Sequence, residues 1–463
     1  MSTQSTAEPP RRPSRLRLLL VALGLVVVGA AVWWTWQWYT CPKLEPLQLT
    51  GADPDVVAAV RYAEDKVRAS PRSAKAWGQL GMVLLANKWE QESVLPFTHA
   101  EEFDPTNPSW PYLRGVALVG RNPDEALPCF RRAVACSESQ QPPDREANAA
   151  ASLRLAETLI ANGHTQAAEP HFQQALAGPL KPCAEFGLGV VAIVGGDLAG
   201  GKQHLLQCAD SPLTRQRAAA QLATVSRRLG EDEAAKYSKQ AAQLPADPGW
   251  PDPLLADCLE LVVGKEGQIR LATTLEQQGE VDRALGILRR VASDYPDAQS
   301  FLTLGITLGR RGHFQESEFV LRKSLQLEPR LVRAQYYLSL ALLAQGEALQ
   351  QQGKAAEAEA KFAEAAQCAQ RATELTPQNG EAHFQHGLAL WSLQRRDDAI
   401  AAFRQAVATR PELTDAHLWL GRVLAEEGQR EEAISHLRDA LRFAAPNDPR
   451  PQQLLTNLLE AKP

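Results

Sequence analysis

Trp77-Gly-Gln-Leu80-Gly81-Met-Val-Leu84, followed at a distance by Phe97, Ala100 and Pro105, sets the frame in which most of this chain reads. Counted from Gly81, the marked residues stand at −4, −1, +3, +16, +19 and +24. The frame returns at Gly387 with Leu390, Ala399, Phe403, Ala406 and Pro411, and at Gly421 with Leu420, Leu424, Ala433, Leu437 and Ala440. Gly81 to Gly115, Gly305 to Ser339 and Gly387 to Gly421 are each 34 residues, and Ala272 to Gly305 is 33. Each frame describes two amphipathic helices. A Gly or Ala on the first lets the second approach closely, large apolar residues fill the gaps, and a proline stops the second helix.

This pattern resembles the tetratricopeptide repeat, a helix–turn–helix unit of 34 residues. The resemblance implies an all-α fold, an α-solenoid of about ten units. Their small-residue anchors are Gly81, Gly115, Ala156, Gly189, Ala223, Ala272, Gly305, Ser339, Gly387 and Gly421. The second unit lacks one turn residue, so Ala126, Phe130 and Ala133 each arrive one early. The fourth and fifth are degenerate, with Gly201 and Lys239 at frame positions. The predicted N-terminal lobe is 53–248, opening with a capping helix over 53–69 that Pro71 stops. A Pro-rich break over 249–264, introduced by Asp247-Pro-Gly-Trp-Pro-Asp-Pro253, separates it from a C-terminal lobe over 265–447. A closing helix within 448–463 covers the last apolar face.

One unit is too long. Ser339 to Gly387 is 48 residues, and the excess of 14 divides evenly, because Gly353 lies seven after Gly346 and Pro377 seven after Gln370. Seven residues are about two helical turns, so both helices lengthen without rotating their apolar faces. An extended hairpin is predicted near 331–376.

Ahead of the repeats, Arg11, Arg12, Arg15 and Arg17 lead into an uncharged run from Leu18 to Trp38. Its 21 residues span roughly 31 Å as a helix, near the ~30 Å of a bilayer's hydrocarbon core. Trp33, Trp34, Trp36, Trp38 and Tyr39 suit the headgroup interface. The run is longer than a signal-peptide core and is followed by tryptophans rather than small residues, so it reads as a retained anchor. The arginines place the N-terminus in the cytoplasm. The expected organisation is a basic tail over 1–17, a single transmembrane helix over 18–39, a linker over 40–52 and repeats on the extracytoplasmic side, in the manner of a bacterial inner-membrane protein facing the periplasm.

No pattern of residues carries catalytic chemistry. With 49 Lys+Arg against 54 Asp+Glu, the chain lacks the basic excess of a nucleic-acid binder. Its seven cysteines include no CxxC spacing and are too sparse for a disulfide scaffold. Cys129 and Cys136 lie too far apart on one helix to bridge, and Cys208 reads as a small buried filler, though a disulfide between neighbouring units remains open. His383 and His386 share a helix face without an HExxH pattern, and Gly195–Lys202 lacks the spacing of a phosphate loop. Glu357–Glu364 with Lys354 and Lys361 reads as a solvated helix face, with a docking surface as the alternative. Catalytic, cofactor-binding and metal-binding residues are therefore none on this reading.

Proteins of the tetratricopeptide type bind peptides or partner helices on the concave face formed by first helices. Carried over position by position, the resemblance implies partner-binding residues Tyr336, Leu340, Phe384, Leu388, Trp391, Leu418 and Arg422, with Leu343 beside them. Tyr112, Val116 and Met82 are the early-unit counterparts. The mixture suits an amphipathic segment. The implied function is a non-catalytic membrane-anchored scaffold for protein–protein interactions, its partners being other proteins and, through the anchor, the membrane. The alternative is a regulatory or assembly subunit of a membrane enzyme, envelope-biogenesis or secretion complex.

Overall fold

The structure, a computed structural model, describes residues 42–142, 144–444 and 448–460. The tail, anchor and first linker residues lie outside the described residues, and among those described no helix is long and apolar enough to cross a membrane. The described secondary structure is helical throughout, and the chain divides into two compact bodies between Asp144 and Arg145.

The first body holds α1 (Pro54–Ala69), α2 (Ala74–Ala86), α3 (Glu90–Phe103), α4 (Ser109–Val119) and α5 (Pro123–Ser139). Helix α1 starts with Pro54 at its first turn under an Asp53 cap, and buries Val56, Val60, Ala63 and Val67. Helices α2 and α3 pair, as do α4 and α5. Trp77, Phe97, Tyr112 and Phe130 are fully enclosed between them.

The second body begins with α6 (Arg145–Ala161), a short 3₁₀ turn and α7 (Glu169–Ala175). The pairs α8 (Lys181–Gly195) with α9 (Leu198–Cys208), and α10 (Arg215–Leu229) with α11 (Ala234–Gln243), follow. After a non-helical stretch and the single turn α12 (Ala256–Leu259) come α13 (Lys265–Gln277) with α14 (Val281–Asp294), and α15 (Ala298–Arg310) with α16 (Phe314–Leu327). The remaining pairs are α17 (Val332–Gln351) with α18 (Ala355–Leu375), α19 (Gly380–Ser392) with α20 (Arg396–Thr409), and α21 (Thr414–Glu426) with α22 (Arg430–Phe443). Helix α23 (Arg450–Glu460) covers the last pair through Leu455, which packs with Leu418, Leu437 and Ala440.

Hairpins that keep the frame close on the small anchor of the first helix. A Cβ built at Gly387 would stand 2.5 Å from Phe403, and one at Gly421 would stand 2.8 Å from Leu437. The opposing residue is sixteen further on in both, the +16 of the sequence frame. Where Ser339 replaces glycine, its hydroxyl donates to the Ala365 carbonyl across the hairpin at 2.9 Å. Seven residues after the anchors Ala272, Gly305 and Gly421, the turns carry Gly279, Gly312 and Gly428 at φ +86, +79 and +77, the left-handed conformation that ends a helix. Gln394 takes that conformation in the ninth unit at φ +63, so the frame dictates the backbone even where the residue is not glycine.

A second recurrent bond ties successive units. At the −4 position, Trp77 Nε1–H donates to the Pro71 carbonyl at 2.8 Å, and His383 and His417 place Nε2 2.9 Å from the Pro377 and Pro411 carbonyls. The side chain at −4 thus satisfies a carbonyl left open by the proline-terminated turn before it.

Helices α17 and α18 run 20 and 21 residues against 13 and 14 in both flanking hairpins. Part of the charged run on α18 faces inward. Lys361 pairs with Glu318 at 2.7 Å and Glu364 with Arg322 at 2.5 Å, tying the long hairpin to α16.

Gly387→Ala should lower stability by about 1–3 kcal/mol, because the added methyl displaces the Phe403 ring and overpacks the hairpin. Gly286→Ala on α14, where a Cβ meets nothing within 4 Å, should instead stabilise by up to about 1 kcal/mol through helix propensity. Urea denaturation of the two variants against wild type reads both signs; equal effects would show that the anchors are not under contact.

Candidate functional site

Two stretches of first-helix face in the second body carry the chemistry of recognition. The C-terminal one is built by α17, α19 and α21. Tyr336 and Leu340 on α17 are half-buried, as are Phe384, Leu388 and Trp391 on α19, which pack against the core. Tyr336 meets Tyr337 edge-on at 5.2 Å, and burial with the nearby Glu381 raises its phenol above the usual range. Arg422 is exposed, its guanidinium 5.2 Å above the Trp419 ring, and it pairs with Glu426. Leu418 departs from the expected face. It is 5% exposed and packs with Leu437, Ala440 and Leu455 under α23, because α21 has the closing helix on that flank.

Sequence reasoning missed Trp419. It stands two residues before the anchor Gly421, one step from the register used to choose face residues, and it completes an aromatic row. Phe384 lies 5.8 Å from Phe403, Phe403 stacks on Trp419 at 6.2 Å, and Trp419 meets Trp391 at 6.4 Å. Arg396 covers Trp391 at 5.3 Å and pairs with Glu427. Two indoles, each with a guanidinium over it, form a surface that accepts an apolar or aromatic anchor flanked by acidic groups. In the first body Tyr112 is fully buried against Phe130, leaving Val116 and Met82 half-buried.

The second stretch, on α6 and the start of α10, is engaged by the chain itself. The Pro-rich segment runs non-helically from Leu244 to Leu255 and bonds to both helices. The Asp247 carboxylate, 2% exposed, accepts from the backbone N–H groups of Gln216 and Arg217 at 2.8 and 2.9 Å. Those are second and third residues of α10, so Asp247 caps that helix from thirty residues away while Thr214, its neighbour in sequence, donates to the Cys208 carbonyl instead. Trp250 Nε1–H donates to Glu157 at 3.1 Å, and the Arg154 guanidinium lies 4.4 Å over the indole. Arg154 also donates to Asp252 at 2.9 Å. Glu157 stands one residue after the anchor Ala156, the register that Leu340, Leu388 and Arg422 occupy later. The strap therefore lies on the face by which the later repeats would hold a ligand. Burial raises the Glu157 carboxyl above its usual range, with Arg154 and the Trp250 N–H pulling it back.

The remaining candidates resolve into structure. The six described cysteines are free and buried, with Cys183 and Cys258 pushed up to about 12 by burial. Lys202, beside the glycine-rich turn, is engaged by Glu231 and Glu233 at 2.6 and 3.0 Å.

Repeated hairpins presenting an open aromatic face define a helical-repeat interaction module. Residues 116–182 and 384–449, and separately 266–298, match tetratricopeptide repeat families. The chain carries tetratricopeptide repeats, a type of unit that in other proteins binds peptides or proteins. Solved structures similar to part of it include TTC0263, a thermophilic TPR protein of Thermus thermophilus, at 22% identity over 42% of this chain and 99% of that one, TM-score 0.36. MamA 41-end from Desulfovibrio magneticus RS-1 is 21% identical over 39% and 96%, TM-score 0.34. YrrB, described as a TPR protein with an unusual peptide-binding site, is 22% identical over 41% and 91%, TM-score 0.32. No curated protein sequence matches.

Asp247→Ala leaves two N–H groups of α10 uncapped and should cost about 1–2 kcal/mol. Amide hydrogen exchange over residues 244–255 should accelerate with it, while α19–α22 keep their protection. Unchanged exchange in the strap would contradict the capping role.

Proposed function

We propose that this chain is a non-catalytic scaffold, tethered to a membrane by Leu18–Tyr39 with its repeats on the extracytoplasmic side, which holds a segment of a partner protein on the face of α17, α19 and α21. The observation that carries the binding part is the half-exposed row of Phe384, Leu388, Trp391 and Trp419 with Arg396 and Arg422 over its indoles. Half-buried aromatics beside arginine are the composition of interface hot spots. The chain's own strap illustrates what such a face accepts, an extended, proline-spaced segment with acidic groups on either side of an indole. The tether rests on sequence alone: four arginines, an uncharged run of bilayer length and an aromatic end.

Crosslinking in native membranes, followed by recovery of partners, tests the face. Trp391→Ala should reduce recovery of the principal partner about tenfold or more, in line with loss of an interface anchor. Recovery unchanged in both Trp391→Ala and Tyr336→Ala would remove the face from the account. A reporter active only outside the cytoplasm, fused after residue 463, should give signal, and its silence would overturn the orientation.

A further inference from the structure

The last helical hairpin holds a group of side chains that the binding face does not use. His417 on α21, with His436 and Asp439 on α22, brings three ligand atoms within 4.8 Å of one another. His417 is buried, whereas His436 and Asp439 are half-buried and reachable from solvent.

Proton placement gives the cluster its character. His417 Nε2 lies 2.9 Å from the Pro411 carbonyl, which can only accept, so Nε2 carries the hydrogen and the neutral ring offers a bare lone pair at Nδ1. That lone pair faces the Nδ1 of His436 at 3.2 Å. Two nitrogens on a tetrahedral metal, at bonds of about 2.0–2.1 Å, stand about 3.3 Å apart. The imidazoles are already at ligand spacing.

His436 Nε2 stands 3.9 Å from Glu432, beyond hydrogen-bond reach, and in the metal-ready tautomer it carries the proton. Both Nδ1 lone pairs are then left facing each other, and a cation between them relieves the repulsion. The Pro411 carbonyl on the outer nitrogen of His417 is the usual kind of support for a metal-ligating histidine. The repeat itself does not demand this arrangement. His383 makes the same bond to Pro377 one unit earlier, but the residues 34 before His436 and Asp439 are Ala402 and Gln405.

We propose that His417, His436 and Asp439 form a site for a divalent transition metal of the imidazole-preferring class, such as Zn2+ or Co2+. Asp439 completes the set by a rotamer change at the surface, and water takes the fourth position. The ion would tie α21 to α22 in the hairpin that α23 packs against. This site is independent of the binding face and of the tether.

The test uses the full chain in detergent, freed of metal with a chelator, and Co2+ or Zn2+ alone as probe. One Zn2+ per chain should be won from a chromophoric competitor, and Co2+ should develop the visible absorption of a tetrahedral site. His436→Ala and Asp439→Ala should each weaken binding by more than about tenfold, whereas His383→Ala should not. Because both side chains are half-exposed, metal-free melting temperatures of these variants check that loss of binding is not loss of fold. Absence of stoichiometric binding, or binding equally tight in His436→Ala, would overturn the site and leave an N–H···N hydrogen bond in its place.

Discussion

Wherever the frame is kept, the fold depends on the contact between a small residue on one helix and a large apolar side chain sixteen residues later on the next. Phe403 occupies the space a Cβ at Gly387 would need, and Leu437 does so at Gly421. Close approach is what lets two short amphipathic helices enclose a core, since neither is long enough to persist alone. The same contact fixes the rotation of each first helix, and rotation decides which residues at −3, +1 and +4 remain at the surface. The half-exposed first-helix face is therefore a consequence of the packing. A residue is presented at Leu388 because the anchor at Gly387 faces the other way.

The strap shows what this presentation is worth. Nothing in the repeat frame requires Asp247, Trp250 and Asp252 to find partners, yet they meet Arg217, Glu157 and Arg154 on the first-helix face. An intramolecular segment gains affinity from proximity, so few contacts suffice to seat it. It satisfies the start of α10 and occupies Arg154 and Glu157 on α6. The face farther along, over α17, α19 and α21, keeps its indoles half-exposed.

The repeat was legible because its signal is local and redundant. Anchors, turn glycines and terminating prolines recur at fixed offsets, so a degenerate unit is carried by its neighbours. Half-buried Tyr336, Leu340, Phe384, Leu388 and Trp391 and exposed Arg422 follow from the same register. Leu418 went the other way because α23, outside the periodic pattern, packs on its flank. Trp419 was passed over because one residue of helix is a 100° rotation, and a large indole still reaches the face from there. The strap was beyond the sequence for a different reason. Its bonds join residues 93 and 98 apart, and prolines announce only that a helix stops, not where the chain then lies. The His417–His436 pair was likewise hidden, since duplication explains His417 and nothing in the frame marks position 436.

A double-mutant cycle between Gly387→Ala and Phe403→Ala tests the anchor contact most directly. If ring and glycine share one volume, the alanine is penalised far less once the ring is gone, and the two changes couple by about 1–2 kcal/mol. Additivity within about 0.5 kcal/mol would contradict the account, because the helices would then be held together, and the face oriented, by something else.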